Sequence, residues 1–589
     1  FEPEWVLWKT DKRLIAGLSF YALRDPLRPT VDTRLIAIDS DGRNATDLVD
    51  PAVFKTFIPQ TQDKVLSFLP GDDTHILIEL PAIDRVQVRP GESTGVVQVG
   101  SLESQVKYPE VVRVDIHTGR LQTHTRQRAW VIGWQADGAG KVNIGHTLRG
   151  KTQAYDVRDP ADGTWRSIQA GDVSGGRVFT PLGFVDGQPN RIYALSNHEG
   201  GFAALYELDV PSDSFIRTVA ANPRSAIEPI VRNGRLLGYR LSHDTSPVYL
   251  DEGFAREARI INKALPESRN DVIDRSVDGQ RVLVRVIRGN EPPDYWVLDR
   301  RSGKAEMGPV AESYPDLDPA WVASSRSVSY KARDGLEIPA ILTLPPGQGS
   351  ASGQRLPFVV LPHGGPTAHD APGFDYLVQF LATRGYGVLQ PQFRGSTGYG
   401  AAFEKAGHQQ WGLAMQDDVT DGTRWLVQQK LADPARIAIV GASYGGYAAL
   451  MGAVKEPELY RGAAAIAPVT DLNLLVDSDW HFLFSDINLP RIGTDSKVLE
   501  QTSPARNAER IRAPVLLVHG RKDYTVPVVQ TERMAEALRK AGKPVEVLYL
   551  AEGDHYLSRG NDRLATLKAL DAFLAGTLGP APARDKAGL

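Results

Sequence analysis

The stretch RIAIVGASYGGY, from Arg436 to Tyr447, decides the fold of the C-terminal half of the chain. An apolar run leads into GASYG at residues 441–445, which matches the pattern G-x-S-x-G, and residues with helical spacing follow. The chemistry that uses this pattern needs a strand, a sharp turn and a helix, so that the serine hydroxyl stands exposed at the carboxyl edge of a sheet. We therefore predict that Ser443 is a catalytic nucleophile on such a turn.

A second G-x-S-x-G match, GESTG at residues 91–95, has different surroundings. Ser93 lies just after Pro90 in a β-rich segment, and no helical pattern follows it. The pattern without a strand, turn and helix is weak evidence for a nucleophile. We predict that Ser93 is an ordinary turn residue.

The partners of a nucleophilic serine follow in the order typical of α/β-hydrolases, which is serine, acid and histidine. Asp523 comes just after the apolar run 514–519, and His555 follows the run 545–550. His555 would take the proton of Ser443, and Asp523 would fix the tautomer of the imidazole. Asp554 is a rival acid, but a residue adjacent to the histidine points poorly toward the ring of its own neighbour.

A developing oxyanion needs N–H donors that are already in place. HGGP at residues 363–366 directly follows an apolar run and puts glycines where a backbone can approach a substrate closely. We predict that the oxyanion hole is formed by the N–H groups of Gly365 and Tyr444. The alternative is that the glycines only form a tight turn.

The segment after residue 320 alternates buried strands with amphipathic helices, which is typical of a doubly wound, mostly parallel sheet. Helical spacing covers residues 417–431, 444–455 and 528–541. We predict an α/β-hydrolase domain over residues 321–589. Its strand candidates are PFVVLP, YGVLQP, RIAIVG, GAAAIAP, PVLLVHG and VEVLYL.

The segment before residue 320 shows short β-rich runs without long helical periodicity, and we predict that it is all β. Strands that end in aspartate and then turn recur about every 43 residues, which is the length of a four-stranded propeller blade. This spacing predicts a β-propeller of seven blades over residues 31–320, with one blade inferred in the gap after the first hairpin; the alternative is a pair of β-sandwiches. We expect residues 1–30 to pack on the hydrolase domain. The hairpins lie around Asp39, Asp115, Asp156, Asp209, Asp251 and Asp299.

Residues 145–152, GHTLRGKT, satisfy the P-loop pattern letter for letter. A P-loop opens a helix whose N-terminus holds phosphate, whereas Thr152 runs into the strand-like QAYDV. We predict a propeller hairpin at this position and no nucleotide site.

Composition excludes several classes of function. The 589 residues are 42% hydrophobic and 23% charged, which indicates a folded chain of more than one domain. There are 67 basic and 71 acidic residues, so the net charge of -4 lacks the basic excess on which nucleic-acid binding depends. No apolar run approaches the roughly 18–20 residues that span a bilayer. Cysteine is absent and the histidines are scattered. We predict no nucleic-acid or membrane partner, no cofactor and no metal.

Together these motifs resemble the prolyl oligopeptidase family of serine peptidases, particularly its acylaminoacyl-peptidase-like and dipeptidyl-aminopeptidase-like bacterial members. Five ordered motifs over about 200 residues are far more specific than any one of them. The motifs are HGGP at 363–366, FRGSTGYG at 393–400, GASYGGY at 441–447, His519-Gly520 with Asp523 and Val526-Pro527, and Gly553 with His555.

The resemblance implies that the propeller caps the active site and admits only short or flexible peptides. It also implies an apolar pocket for the side chain that precedes the cleaved bond. The positions that match this pocket are Tyr444, Leu472, Leu475 and Val526, with Trp480 and Phe482 as neighbours, and Arg394 of the FRGSTGYG motif is a further substrate-binding candidate.

Two departures from the family pattern bear on the substrate. Dipeptidyl aminopeptidases of the family hold the substrate amine with an adjacent Glu-Glu pair, and no such pair occurs in this sequence. Similar acylaminoacyl peptidases use an arginine after the nucleophile unit, yet residues 471–490 contain no Lys or Arg. Four aspartates stand there instead, either as a solvated loop or as a negative site for a substrate amine. They are Asp471, Asp477, Asp479 and Asp486.

The leading hypothesis is a serine peptidase that forms an acyl-enzyme on short peptides, either acylaminoacyl-peptidase-like or an oligopeptidase. The alternatives are a dipeptidyl aminopeptidase, a carboxylesterase on the same fold, and a propeller binding protein with an inactive hydrolase domain. The sequence begins with Phe1 and not Met, so either a leader has been removed or the start of the chain has been trimmed. A removed leader would imply export, and we favour a periplasmic or secreted location over a cytoplasmic one. The oligomeric state is open, and a homo-oligomer is one alternative.

Overall fold

The computed structural model describes residues 2–25, 28–50, 59–82, 108–149, 152–159, 162–172, 178–198, 201–242, 246–276, 278–347, 355–479 and 485–579. The chain divides into two compact units. The first contains Phe1–His198, Ala204–Ala221 and Pro229–Gly238, and the second contains Glu199–Ala203, Asn222–Glu228 and Tyr239–Leu589. The later strands of the propeller therefore group with the C-terminal sheet, and the boundary near residue 320 stays a prediction.

The N-terminal half is a β-propeller of antiparallel sheets in which the strands lie side by side in sequence order. The first three sheets contain β1 (Glu2–Thr10), β2 (Arg13–Asp25), β3 (Arg28–Asp39) and β4 (Thr46–Asp47); β5 (Val65–Ser67), β6 (His75–Pro81), β7 (Pro109–Asp115) and β8 (Leu121–Thr125); and β9 (Val131–Ala136), β10 (Val142–Arg149), β11 (Thr152–Arg158) and β12 (Trp165–Asp172).

Three more sheets follow in the same pattern, and one helix interrupts them. They contain β13 (Phe179–Val185), β14 (Gln188–Ser196), β15 (Ala204–Asp209) and β16 (Ser214–Ala220); β17 (Ile227–Arg232), β18 (Arg235–Leu241) and β19 (Val248–Tyr249), after which α1 (Glu252–Ala264) intervenes; and β20 (Arg269–Arg275), β21 (Arg281–Ile287), β22 (Asp294–Asp299) and β23 (Glu306–Glu312).

Burial of alternate or successive apolar residues explains why these runs form stacked sheets. In β21 the buried residues Val282, Val284 and Val286 alternate with partly exposed ones, as expected for a strand with one face in the core. In the second sheet, Ile76 shares a buried cluster with Ile15 of the first sheet. Neighbouring sheets therefore pack face to face, which is how propeller blades bury their apolar surface.

The described residues contain six propeller sheets, and the count of seven blades stays a prediction. The blade inferred between Asp39 and Asp115 is not among the described strands. β6 and β7 are adjacent in one sheet, with Pro81 opposite Pro109. The residues between them therefore account for much of the length between Asp39 and Asp115 that exceeds one blade. Most of that connection, including Ser93, lies outside the described residues.

The predicted hairpin at Asp251 is wrong, and so is the prediction that this half is all β. Asp251 caps α1, because its side chain accepts a hydrogen bond from the Phe254 N–H. The helix buries Phe254, Glu257 and Ile261 on one side. The strand-then-Asp pattern therefore marked a helix start at this position.

The N-terminal residues are strands of the first sheet. β1 pairs with β2, and β2 pairs with β3 over most of its length, so the predicted boundary at residue 30 falls inside a sheet. Residues 2–25 are thus not a separate segment. The expected packing of residues 1–30 on the hydrolase domain stays a prediction.

The P-loop match forms the predicted hairpin. β10 and β11 are antiparallel neighbours, with Ile144 opposite Val157 and Arg149 opposite Thr152. A strand, and not a helix, follows the pattern, so no helix N-terminus is available for a phosphate.

The C-terminal half has the predicted α/β-hydrolase architecture, an eight-stranded, mostly parallel sheet in the order β24-β25-β27-β26-β28-β29-β30-β31. β24 and β25 are antiparallel, and the pairings from β26 onward are parallel. The strands are β24 (Ser325–Lys331), β25 (Glu337–Thr343), β26 (Leu356–Val360), β27 (Gly387–Pro391), β28 (Ala432–Ala442), β29 (Gly462–Ile466), β30 (Val515–Gly520) and β31 (Val545–Leu550).

Helices cover both faces of this sheet. In β26, Phe358 and Val360 belong to one buried cluster while Val359 belongs to another, so successive residues face opposite layers. This explains why the strands are continuous apolar runs. The helices are α2 (Tyr376–Thr383), α3 (Ala401–Lys405), α4 (Ala414–Gln428), α5 (Tyr444–Lys455), α6 (Leu472–Asp479), α7 (Ser485–Ile492), α8 (Ser496–Gln501), α9 (Val529–Lys540) and α10 (Gly560–Leu578).

Candidate active site

Ser443 stands on a strained turn between β28 and α5. Its backbone has φ 58° and ψ -120°, a conformation that residues with a side chain rarely adopt. The turn is fixed from both sides, because the Ser443 N–H donates to the Ile466 carbonyl at 2.9 Å and the Tyr447 N–H donates to the Ser443 carbonyl at 3.0 Å. Strain of this kind persists only where the surrounding structure enforces it.

The glycines around Ser443 are required by close backbone contacts. A Cβ on Gly441 would lie 2.2 Å from the Gly445 carbonyl oxygen, and a Cβ on Gly445 would lie 2.1 Å from the Pro362 carbonyl oxygen. Both distances are far below a van der Waals contact, and the atoms that would be hit belong to the backbone. The spacing G-x-S-x-G is thus a steric condition for the turn.

We expect Gly445→Ala to destabilise the protein by more than about 3 kcal/mol and to abolish its activity, because the added methyl would push the turn away from residue 362. Gly576→Ala is the matched control, since a Cβ there meets nothing within 4 Å and the residue lies inside α10. It should stabilise the protein by about 0.5–1 kcal/mol. Urea unfolding of the two variants tests this pair, and equal stabilities would contradict the steric account.

Asp523 and His555 are brought into direct contact, although they are far apart in sequence. His555 Nδ1 lies 2.7 Å from Asp523 Oδ2. The other carboxylate oxygen, Oδ1, accepts from the N–H groups of Thr525 and Val526 at 3.0 Å and 2.8 Å. The rival acid Asp554 is turned to its own loop, where it accepts from the Ser558 N–H at 2.9 Å.

The Asp523 carboxylate is held ionised. Burial alone would raise its pKa, since only 3% of the residue is exposed, but hydrogen bonds from His519, His555 and the Val526 N–H outweigh burial and keep the pKa of Asp523 below its usual range. A negative charge at this position can stabilise a positive imidazolium on His555.

The sheet topology brings the three predicted catalytic residues to one edge. Ser443 follows β28, Asp523 follows β30 and His555 follows β31, and these strands are parallel. The carboxyl ends of parallel strands meet at the same edge, where α/β proteins place their sites. Asp523 and His555 contact each other at this edge, and the role of Ser443 beside them stays a prediction.

The glycine loop after β26 lies against the serine turn. A Cβ on Gly364 would be 3.3 Å from the Ala442 carbonyl oxygen and 3.5 Å from Ser443 Cβ. Gly365 has φ 121°, a conformation open mainly to glycine. This loop approaches the nucleophile position as an oxyanion hole requires, and the donor role of the Gly365 N–H stays a prediction.

His363 orients the peptide group that carries this N–H. Its Nδ1 lies 2.7 Å from the Gly364 carbonyl oxygen and its Nε2 lies 2.8 Å from Ser396 Oγ. Burial lowers the pKa of His363 to about 4, so the ring is neutral at pH 7 and Nδ1 carries the hydrogen that the carbonyl accepts. The Gly364 carbonyl and the Gly365 N–H belong to the same peptide plane and point in opposite directions.

The predicted pocket residues lie in or against one buried cluster. Tyr444, Leu472 and Val526 are 2%, 0% and 4% exposed, and the partly buried Leu475 packs against the same cluster. The Tyr444 ring meets Trp411 edge to face at 4.5 Å, so it belongs to the core, and only its backbone is available for an oxyanion. Leu472, Leu475 and Val526 stay predictions as pocket residues, and Trp480 and Phe482 lie outside the described residues.

The prediction that Arg394 binds substrate does not agree with its surroundings. Its Nε and Nη2 donate to the two oxygens of Asp418 at 2.8 Å and 2.7 Å, and its Nη1 lies 2.8 Å from Asp334 Oδ2. Asp418 is 0% exposed, so the pair is an internal ion pair whose loss would leave a buried charge. Arg394 connects the 393–400 loop to α4 and has a structural role.

The acidic segment after β29 is also partly structural. Asp471 Oδ2 accepts from Arg506 Nε and Arg533 Nη1, both at 3.0 Å, so arginines from outside the segment neutralise it. Asp477 is exposed, in agreement with a solvated position. The side chains of Asp479 and Asp486 lie outside the described residues. Asp471 is therefore not available to bind a substrate amine.

Asp370, near the glycine loop, is a half-buried acid whose pKa is strongly shifted. Its backbone N–H donates to Gln392 Oε1 at 3.1 Å, and its carbonyl accepts from Gln392 Nε2 at 2.8 Å. Burial and, to a smaller extent, the nearby Asp375 raise the pKa of the Asp370 carboxyl, a hydrogen bond with Gln390 opposes the shift, and the resulting pKa is about 7.

We expect Asp370→Asn to stabilise the protein at pH 8 but not at pH 4. The native state keeps the Asp370 proton to a higher pH than the unfolded chain does, so stability falls as the pH rises from about 4 to about 7. The asparagine cannot ionise and avoids this loss, which is worth about 1–3 kcal/mol. Denaturant unfolding at several pH values measures it. A difference between the two proteins that did not change with pH would contradict the assigned pKa.

Sequence reasoning missed three residues that support the candidate site, namely His363, Ser396 and His519. All three stand in quoted motifs, but each was treated only as a family marker. A signal was present for the two histidines, because each directly follows apolar residues of a buried strand and precedes a glycine. A polar side chain at such a position must find hydrogen-bond partners.

Neither a metal site nor a membrane span is found in the part of the chain that the structure describes. No three His, Cys, Asp or Glu side chains come close enough there to hold a metal ion. Within the same residues, no helix has the length and apolar character needed to cross a bilayer.

The chain is similar in sequence and in fold to known peptidases. Residues 372–581 match the prolyl oligopeptidase family. Dipeptidyl aminopeptidase BIII from Pseudoxanthomonas mexicana is 26% identical over 505 residues, which is 82% of this chain and 72% of that protein. The human acylamino-acid-releasing enzyme is 31% identical over 238 residues, which is 38% of this chain and 31% of that protein.

Among solved structures, a puromycin-hydrolysing peptidase from Mycobacterium tuberculosis aligns with a TM-score of 0.70 and 21% identity. The alignment covers 98% of this chain and 86% of that one. At this identity the likeness concerns the fold, and it extends over both the propeller and the α/β sheet.

Proposed function

Because this chain belongs to the prolyl oligopeptidase family of serine peptidases, we propose that it cleaves short peptides through an acyl-enzyme on Ser443. In this proposal His555 is the general base and acid, and Asp523 is the buried carboxylate that orients it. The N–H groups of Gly365 and Tyr444 receive the oxyanion.

The reaction proceeds in two halves. Ser443 Oγ attacks the peptide carbonyl while His555 takes its proton, and the negative oxygen that forms accepts hydrogen bonds from the two backbone donors. His555 then gives the proton to the leaving amine, and the acyl group stays on Ser443. Water, deprotonated by the same imidazole, then attacks the acyl carbonyl; the bond to Ser443 Oγ breaks, the acid is released, and the imidazolium returns its proton to Ser443 Oγ.

The observation that carries the proposal is the 2.7 Å contact between His555 Nδ1 and Asp523 Oδ2. A carboxylate on Nδ1 places the hydrogen there, which leaves Nε2 unprotonated and able to accept the proton of a serine. The strained turn at Ser443 supports the same roles, because it lifts the side chain out of the sheet edge.

We further propose that the propeller limits substrates to short peptides. A folded protein cannot bring an extended backbone within about 3 Å of a serine under a cap unless it unfolds locally. This part of the proposal rests on the family and on the presence of a propeller fold.

Two substrate classes are supported by different observations. Removal of acylated residues, or cleavage inside short peptides, agrees with the absence of an adjacent Glu-Glu pair and with the similarity to the human acylamino-acid-releasing enzyme. Removal of dipeptides is the second candidate, because the relative that aligns with 82% of this chain is a dipeptidyl aminopeptidase. We favour the first, since a free amine needs a carboxylate partner in the site.

The test is mass-spectrometric mapping of cleavage in a library that contains each peptide with a free and with an acetylated N-terminus, in lengths from two to thirty residues, together with intact casein. Release of acetyl-amino acids or internal fragments from the shorter peptides supports the favoured class, and release of dipeptides supports the second. Equal kcat/KM for dipeptides and casein would contradict the size limit. Hydrolysis of simple esters with no peptide cleaved would contradict the peptidase proposal and indicate a carboxylesterase.

A further inference from the structure

We propose that His519 is a positioning residue for the catalytic acid, acting through a single N–H that it shares between Asp523 and the carbonyl of residue 526. This inference rests on the proposed function, because it assigns a role in the reaction of Ser443. His519 touches neither the nucleophile nor the general base in any contact of the described residues, and its effect passes through Asp523.

The His519 ring is completely enclosed and all its polar atoms have partners. It stands near the end of β30 and is 0% exposed. Its Nδ1 lies 2.7 Å from Thr531 Oγ1 in α9, and its Nε2 lies 2.8 Å from the Val526 carbonyl oxygen. The same Nε2 is 3.4 Å from Asp523 Oδ2.

These partners fix the tautomer of the ring. A carbonyl oxygen only accepts, so Nε2 must carry the hydrogen that it donates to the Val526 carbonyl. In the neutral ring Nδ1 is then an acceptor, and the Thr531 hydroxyl donates to it. The Nε2–H therefore points to the Val526 carbonyl, and Asp523 Oδ2 lies 3.4 Å from the same nitrogen.

The Asp523 carboxylate is thereby held on both of its oxygens. Oδ1 accepts the N–H groups of Thr525 and Val526, while Oδ2 receives His555 Nδ1 and faces the N–H of His519. With these donors in place, the carboxylate cannot rotate without losing at least one of them. The rotation that His519 prevents is the one that would turn Oδ2 away from His555.

His519 also closes the loop that carries the acid. Val526 donates its N–H to Asp523 Oδ1 and accepts a hydrogen bond from His519 through its carbonyl. Its two backbone polar groups therefore connect the acid and the histidine. At the end of β30, a Cβ on Gly520 would lie 2.1 Å from the Gly553 carbonyl oxygen, and the Lys522 N–H donates to that oxygen at 2.9 Å. The acid loop therefore sits directly against the loop of His555.

The test uses two amides that differ in reach. The nitrogen of a glutamine side chain extends about as far as histidine Nε2, so His519→Gln keeps a donor for Asp523 and residue 526. The nitrogen of asparagine reaches only as far as Nδ1, so His519→Asn loses this donor. We expect His519→Asn to lower kcat about 100-fold with little change in KM, because a misplacement of about 1 Å can cost this much. His519→Gln should recover most of the lost rate.

The pH profile separates positioning from a general loss of structure. Without the His519 N–H, the Asp523 carboxylate loses a favourable donor and its pKa rises, so the acid limb of kcat/KM should move to higher pH in His519→Asn and return toward the wild-type position in His519→Gln. Thr531→Val is an independent variant. It removes the hydroxyl that fixes the tautomer but keeps the ring, and an intermediate loss of kcat is expected.

The outcomes distinguish this inference from the proposed function. A wild-type protein that is not labelled on Ser443 by a fluorophosphonate would overturn the proposed function and this inference with it. If the wild type is labelled but His519→Asn keeps the wild-type kcat and pH profile, the inference alone is wrong. Equal losses in His519→Asn and His519→Gln, with an unshifted acid limb and a lowered unfolding temperature in both, would show that the ring only fills space and would also overturn it.

Discussion

Replacing Ser443 by alanine is expected to lower kcat for peptide hydrolysis by about 10⁶-fold, as the loss of a nucleophile does in other serine peptidases. The serine hydroxyl forms the covalent intermediate, and no neighbouring side chain can take over that step. Folding should be unaffected, because Ser443 is only partly buried. The change removes the side-chain oxygen, Oγ, and does not open a cavity in the core.

Peptide cleavage followed by chromatography, with circular dichroism as the check of folding, measures this effect. Ser329→Ala is a matched control, since Ser329 is exposed on β24 and its hydroxyl donates to Glu337 Oε1 at 2.7 Å. The control should keep the wild-type rate. A Ser443→Ala protein that is folded and still cleaves peptides within tenfold of the wild type would remove Ser443 from the mechanism.

Asp523→Asn should lower kcat by about 10⁴-fold, as the equivalent change does in a well-studied triad. The amide can present a hydrogen to His555 Nδ1 where the carboxylate accepted one, which favours the wrong tautomer, and it cannot stabilise an imidazolium. Substrate binding should change little, because Asp523 is 3% exposed and faces the histidine.

Asp554→Asn provides the matched comparison for the acid. In the part of the chain that the structure describes, the Asp554 carboxylate accepts the Ser558 N–H of its own loop and does not contact His555, so its replacement should cost less than about tenfold in kcat. Steady-state kinetics of both variants on one short peptide decides between the two aspartates. A severe loss in Asp554→Asn together with a mild loss in Asp523→Asn would mean that the acid is misassigned.

The features that sequence predicted best are those determined by residues close together in the chain. The turn at Ser443 is set by glycines two residues away on either side, each of which avoids a backbone clash. The alternation of apolar strands and helices after residue 320 likewise reflects local periodicity, and the sheet and its flanking helices are confirmed. The resemblance to the prolyl oligopeptidase family is confirmed as well.

Predictions failed where a distant residue decides the outcome. Arg394 is a substrate-binding candidate through the family motif alone, and nothing in that motif indicates its ion pair with Asp418 of α4. Asp251 looked like the end of a hairpin strand, whereas its side chain caps α1. Aspartate suits both a turn and a helix N-terminus, so the residue type alone could not distinguish them.

The role of His519 illustrates the same limit. The sequence placed it beside the acid loop, yet the geometry that matters joins it to Thr531 in α9 and to residues 523 and 526 in the loop. Burial of a histidine implies that its ring nitrogens have hydrogen-bond partners, but only the folded chain shows which atoms these partners are.

The central claim is that Ser443 is the nucleophile of a serine peptidase, and the most direct test is to react the wild-type protein with a fluorophosphonate and map the adduct by mass spectrometry of its proteolytic fragments. The account predicts one stoichiometric adduct, on the fragment that contains Ser443, with peptide cleavage lost in proportion to labelling. An adduct on another serine such as Ser93, or full inhibition of cleavage with no adduct on Ser443, would contradict it.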